Sequence, residues 1–221
     1  RVYPRRVEFV TCRRHEEVAQ AVTDMVTQSA GPYTAAAMGM ALAAYECRTL
    51  AEAQQTAYLE QAARVIANAR PTTAARMRLV TEGSLAAAKK ALAAGQDTSA
   101  AIVEYAVAAN DVRYAKVGRM AEYLVDMIPA GGTVMTQCFG ETIVGKMLAV
   151  ATERGKSFRL FCPETRPYFQ GARLTATVAH EMGFDVTVIT DNMPAYVMQR
   201  EHVDVFTSAA DAICLDGHVV N

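Results

Sequence analysis

Two residues in the C-terminal half of the chain have the type and setting to do chemistry. Cys138 sits in Gln137-Cys138-Phe139-Gly140-Glu141-Thr142, between a short β-branched run and a helical pattern. A thiol close to a helix N-terminus can have its thiolate stabilised by the helix dipole. The alternative is an inert Cys that fills space at a strand end. Asp211 lies in SAADAICL (Ser208–Leu215), a segment otherwise made of small and apolar residues. A carboxylate there must be desolvated or partnered, and burial raises its pKa towards a useful general-acid value. The alternative is a cap for a following helix. Asp191 and Asn192 read as turn and cap residues, although Asp191 faces the same strand-end rim, and Glu164-Thr165-Arg166-Pro167 as a charged loop with an internal ion pair, the alternative being a segment that orients a substrate. Cys12, Cys47, Cys162 and Cys214 are assigned to packing.

Other chemistries are excluded by spacing. Five cysteines without a CxxC pair form neither a disulfide framework nor a zinc site. The four histidines, His15, His180, His202 and His218, share no helical or strand spacing, so no metal site is expected. GxGxxG and GxxxxGK[ST] are absent, which removes dinucleotide and P-loop binding, and no cofactor is called for. Lys+Arg at 22 against Asp+Glu at 23, a formal charge of -1, argues against a nucleic-acid or anionic-membrane partner. No apolar run approaches the ~20 residues of a membrane span, and the opening RVYPRR lacks the apolar core of a signal peptide. A reducing, cytoplasmic setting is the expectation.

The elements that must position Cys138 and Asp211 follow from two textures. From His15 to about Ile128 the chain is Ala-rich with apolar residues at three- and four-residue spacing, which predicts a helical bundle. One short strand around Val7–Thr11 is predicted ahead of it. After Pro129-Ala130-Gly131-Gly132, strands are predicted at Thr133–Thr136, Phe158–Phe161, Val186–Ile189 and Val205–Thr207. Helices are predicted between them at Glu141–Arg154, Gly171–Met182 and Met193–Glu201. This alternation predicts a parallel sheet of Rossmann-like topology, so the chain is α/β, with an N-terminal helical domain at 1–128 and a sheet domain at 129–221. In such sheets ligands bind beyond the carboxyl ends of the strands, which is where Cys138 and Asp211 fall.

ETRPYFQGARLTA (Glu164–Ala176), followed by Thr190-Asp191-Asn192-Met193, resembles the signature region of the methylthioribose-1-phosphate isomerase family. That family is grouped with ribose-1,5-bisphosphate isomerases and the regulatory subunits of translation initiation factor 2B. The likeness extends to Asp24-Met25-Val26, the Gly39–Ala44 run and Ala69-Arg70-Pro71-Thr72, and so covers nearly the whole chain. The resemblance implies an enzyme that converts an aldose to a ketose on a sugar whose C1 is locked by phosphate, most closely 5-methylthioribose 1-phosphate. The alternatives are ribose 1,5-bisphosphate as substrate, or a non-catalytic, ligand-sensing protein of the initiation-factor type. By the same resemblance Thr136-Gln137-Cys138 holds the catalytic cysteine, and Ala209-Ala210-Asp211-Ala212 the aspartate that protonates the ring oxygen. Gln170 and Arg70 would contact substrate, Arg70 supplying positive charge to phosphate. A homodimer is also implied.

Three departures accompany the likeness. The family's Arg-Gly-Ala-Pro phosphate loop is here Gln28-Ser29-Ala30-Gly31-Pro32, so Gln28, Ser29 and Ala30 take that place without the guanidinium. Ala212 follows the aspartate where the family carries Arg. Asn221 resembles the Asn of an Asn-Lys-Ile-Gly element, which gives the expectation that the Rossmann-like half is C-terminally incomplete.

Overall fold

A computed structural model describes residues 2–28, 30–210 and 212–220. The chain forms two compact units, 9–113 and 1–8 with 114–221, and the division falls inside one long helix.

The helical unit carries α1 (His15–Thr23), α2 (Gly31–Cys47), α3 (Glu52–Ala67), α4 (Ala74–Ala93) and the first part of α5 (Thr98–Met127). Pro32 at the first turn of α2 suits a position whose backbone N–H would be unpaired anyway. α2 then buries Ala36, Ala37, Gly39, Met40, Ala41, Ala43 and Ala44, so it is the central helix. Small residues allow the close approach: a Cβ on Gly39 would lie 3.0 Å from Val18 and 3.1 Å from Ile66. Met40, Leu59, Ile66, Met77 and Ile102 fill the space left between helices. At the start of α5 the Asp97 carboxylate accepts the Ala100 N–H at 3.0 Å, an N-terminal cap.

The second unit holds β1 (Thr133–Thr136), α6 (Glu141–Glu153), β2 (Arg159–Pro163), a π-helical turn (Gly171–Thr175), α7 (Ala176–Glu181), β3 (Asp185–Ile189), α8 (Pro194–Arg200) and β4 (Val205–Thr207). The four strands pair in parallel in the order β3-β2-β1-β4. Because side chains alternate across a strand, the sheet feeds two cores. Val134, Leu160 and Cys162 pack with Val144, Met147 and Leu148 of α6 and with Ala176 and Ala179 of α7. Met135, Phe161 and Ile189 pack instead with Val197 of α8. A short antiparallel pair, β5 (Ala212–Ile213) and β6 (Val219–Val220), follows. Among the described residues no helix is long and apolar enough to cross a membrane.

The α/β reading holds, with two corrections. Val7–Thr11 is not a strand: Val7 is 68% and Phe9 89% exposed, and no described strand pairs with the segment, so its β-branched residues have no ladder to join. SAADAICL does not lead into a helix, because Ala212–Ile213 pairs with Val219–Val220. Asp211 itself lies outside the described residues.

Candidate active site at the carboxyl ends of the strands

The chain runs from β1 outward to β2 and β3, then returns to the other side of β1 as β4. That reversal puts a crevice beyond the carboxyl ends of β1 and β4, the usual ligand position in open parallel sheets. The segments leaving these two strands are those carrying Cys138 and Asp211. They are tied together where the Ser208 hydroxyl donates to Gln137 Oε1 at 2.9 Å. Beside them a cleft of about 200 Å³ is lined by Gln137, Pro163, Thr165, Arg166, Asp191, Pro194 and Phe206.

Cys138 is half-buried and has a left-handed backbone, φ +58°. Thr165 and Phe169, in the loop after β2, share that conformation at +61° and +56°. For a side chain with a Cβ this costs on the order of 1–2 kcal/mol, most for a β-branched one. Hydrogen bonds hold it in place. The Cys138 N–H donates to Thr165 Oγ1 at 3.1 Å, and the Cys138 carbonyl accepts from Thr175 Oγ1 at 2.6 Å. The Asp191 carboxylate takes the backbone N–H of Thr165 on one oxygen and that of Arg166 on the other, both at 2.7 Å. At roughly 1 kcal/mol each, and more where the acceptor is charged, these bonds are enough to offset the strain.

Gln170 opens the π-helical turn that carries Thr175, and its Oε1 is buried without a hydrogen-bond partner among the described residues. A buried acceptor left open in this way is what a substrate hydroxyl could fill. Turns of this kind recur at functional sites. The next residue must be glycine: a Cβ on Gly171 would lie 1.8 Å from the Pro163 carbonyl oxygen. The expected ion pair in the preceding loop is present, with Arg166 Nε 2.9 Å from Glu164 Oε1.

Of the substrate-binding candidates, Arg70, Gln28 and Ala30 belong to the helical unit. Arg70 precedes a 3-10 turn at Pro71–Thr73, and Gln28 Nε2 is buried without a partner among the described residues. Asp211, Ser29 and Asn221 lie outside the described residues. Asp191, read as a turn or cap residue facing the rim, holds the loop after β2 with its carboxylate. Thr165 and Thr175 were not singled out, although both fall in ETRPYFQGARLTA.

All five cysteines are free thiols. Cys47 and Cys162 are buried as expected; burial pushes the Cys47 thiol up and takes Cys162 to about 11. Cys214 is exposed on the β5–β6 turn and Cys12 half-buried, so neither is a core-packing residue. Sequence spacing also missed a cluster in the helical unit. His15, Glu16 and Glu46 have donor atoms within 4.8 Å of one another and could in principle hold a cation. Their donors are already engaged: His15 Nδ1 lies 2.9 Å from Glu46 Oε2, and Glu46 also accepts the His15 N–H and the Tyr58 hydroxyl.

Residues 27–221 match the profile of the Initiation factor 2 subunit family. A putative methylthioribose-1-phosphate isomerase from Archaeoglobus fulgidus is 36% identical over 223 residues, covering 96% of this chain and 65% of that one. The crystal structure of 5-methylthioribose 1-phosphate isomerase from Pyrococcus horikoshii OT3 superposes with a TM-score of 0.84 at 27% identity, covering 100% of this chain and 64% of that one. The delta subunit of translation initiation factor eIF-2B from A. fulgidus gives 0.76 at 32% identity, covering 96% and 64%. The chain thus spans just under two thirds of the length of these relatives.

Proposed function

The chain belongs to the initiation factor 2 subunit family, and on that premise we propose that it carries the catalytic core of an aldose–ketose isomerase acting on a sugar 1-phosphate. The favoured substrate is 5-methylthioribose 1-phosphate, converted to 5-methylthioribulose 1-phosphate. The observation that carries the reading is Cys138, whose backbone is held by two threonine hydroxyls just beyond the carboxyl end of β1, in a chain similar to proteins named for this activity.

In this reading the phosphate on C1 prevents spontaneous ring opening, so the ring oxygen must receive a proton. Asp211 supplies it, hydrogen then passes from C2 to C1 beside the Cys138 thiol, and the proton released from the C2 hydroxyl as the ketone forms returns to the Asp211 carboxylate. The open acceptor on Gln170 takes a sugar hydroxyl, and Arg70 meets the phosphate. Gln28 stands where the resembled loop has Arg, and gives a neutral donor in place of a cation. The proposal includes a cytoplasmic homodimer, which light scattering behind a sizing column tests directly.

A second reading is a non-catalytic, sugar-phosphate-sensing protein of the initiation-factor type. It is favoured by Gln28 and by the likeness to the A. fulgidus initiation-factor subunit. One coupled assay separates the two. Ketose formation from 5-methylthioribose 1-phosphate and ribose 1,5-bisphosphate is measured for the wild type, Cys138→Ser and Asp211→Asn. Loss of general acid catalysis is expected to cost about 10²–10⁴-fold in kcat. Equal turnover in all three proteins overturns the isomerase reading, and calorimetric binding without turnover favours the second.

A further inference from the structure

Cys138 does not hold its own conformation. Its side chain leaves a backbone in the left-handed region, which Cys rarely adopts alone. Both polar groups of the residue's backbone are bonded to side chains that come from the β2–α7 connection. Thr165 Oγ1 accepts the Cys138 N–H and donates its own hydrogen bond to the Pro163 carbonyl at 3.2 Å, so its lone pair faces Cys138. Thr175, fully buried, donates to the Cys138 carbonyl. Thr165 is itself left-handed, and its backbone N–H is bonded to Asp191 from the β3–α8 connection.

We propose that Asp191, acting through Thr165, and Thr175 are the positioning residues that set where the Cys138 thiol points at the crevice. This rests on the reading of Cys138 as the reactive thiol. Three consecutive strand ends are then coupled: the connection after β3 holds the loop of β2, and that loop together with the π-helical turn holds Cys138, two residues beyond β1. Neither threonine needs to touch substrate. The geometry requires a hydroxyl at both positions and a carboxylate at 191, since one oxygen goes to each of two neighbouring N–H groups.

The test reads the thiol itself. Alkylation of Cys138 by iodoacetamide is followed by peptide mass spectrometry across pH 6 to 10, with Cys12 as an internal reference in the same sample. The proteins are the wild type, Thr165→Val, Thr175→Val, Asp191→Asn and the conservative Thr165→Ser and Thr175→Ser. The valine and asparagine variants are expected to change the Cys138 rate at least fivefold, or to shift its pH midpoint by the equivalent of about 0.7 pH unit, while Cys12 is unchanged, and the serine variants to restore it. Valine variants that fold and alkylate Cys138 along the wild-type profile overturn the proposal. Where a valine variant does not fold, exchange of the Cys138 amide hydrogen in the wild type against Asp191→Asn reads the same contact, and equal protection overturns it. Because alkylation needs no turnover, an inactive wild type defeats the isomerase reading without touching this result. If the wild type turns over, kcat is expected to fall in the valine variants with KM little changed.

Discussion

Gly171 is where a single methyl group would do most damage near the crevice. A Cβ there would sit 1.8 Å from the Pro163 carbonyl oxygen and 3.0 Å from Thr165 Oγ1, and the first of these is backbone that cannot swing away. Gly171→Ala must therefore push the π-helical turn off the end of β2, carrying Thr175 with it. The expected cost is about 2–3 kcal/mol, the upper part of the range for forcing a methyl into a packed site. It is read as a lower urea midpoint at unchanged slope. A midpoint equal to the wild type would mean that the turn is not seated as described. Residue types alone were enough to single out Cys138, because a thiol before a helix start is uncommon. They were not enough to find its supports. Thr165 and Thr175 act through hydroxyls on left-handed or π-helical backbone, and such backbone is imposed by bonds to residues distant in sequence.

At the scale of elements, the strands were legible because each is a short run carrying β-branched or aromatic residues between turn residues. β1 and β4 match their predicted bounds, and β3 gains only Asp185. β2 slips, starting at Arg159 and running on to Pro163, because pairing with all five residues of β3 decides its length. The helix predicted from Gly171 begins instead as a π-helical turn, a distinction that apolar spacing does not encode. Val7–Thr11 shows the opposite failure, since β-propensity without a partner strand makes no strand. Helix contacts can be tested in the same spirit. A Cβ on Gly83 of α4 would meet the Tyr105 hydroxyl of α5 at 1.9 Å, but that is the end of a side chain able to turn. Alanine also recovers about 1 kcal/mol of helix propensity. Gly83→Ala is thus expected to change stability by less than about 1 kcal/mol, and thermal unfolding that drops by much more would show that Tyr105 is locked between α4 and α5.

For the molecule as a whole, three weak acids with raised folded-state values make alkaline pH a probe of stability: Cys47 and the half-buried Tyr58 in the helical unit, and Cys162 in the sheet core. Cys162, in the sheet core, is shifted by burial from 9.0 to about 11. Tyr58, in the helical unit, is shifted from 10.0 to about 12, by burial first and then by its bond to the Glu46 carboxylate. All three folded-state values are raised, so the folded chain holds protons that the unfolded chain has released. Stability is fully present below the unfolded value and drains away as pH climbs through the folded one. The sheet unit is therefore expected to weaken between pH 9 and 11 through Cys162, while the helical unit begins to weaken above pH 9 through Cys47 and goes on weakening between 10 and 12 through Tyr58. Thermal unfolding followed by near-ultraviolet circular dichroism from pH 8 to 11.5 measures the sum, and two variants separate its parts. Cys162→Ala lowers stability at every pH by opening a small cavity, yet it should flatten the fall that begins near pH 9. Tyr58→Phe should leave that early fall intact and flatten only the later one. If Cys162→Ala follows the wild-type slope through pH 9 to 11, the Cys162 thiol is not held protonated by the sheet core and the separation of the two windows fails.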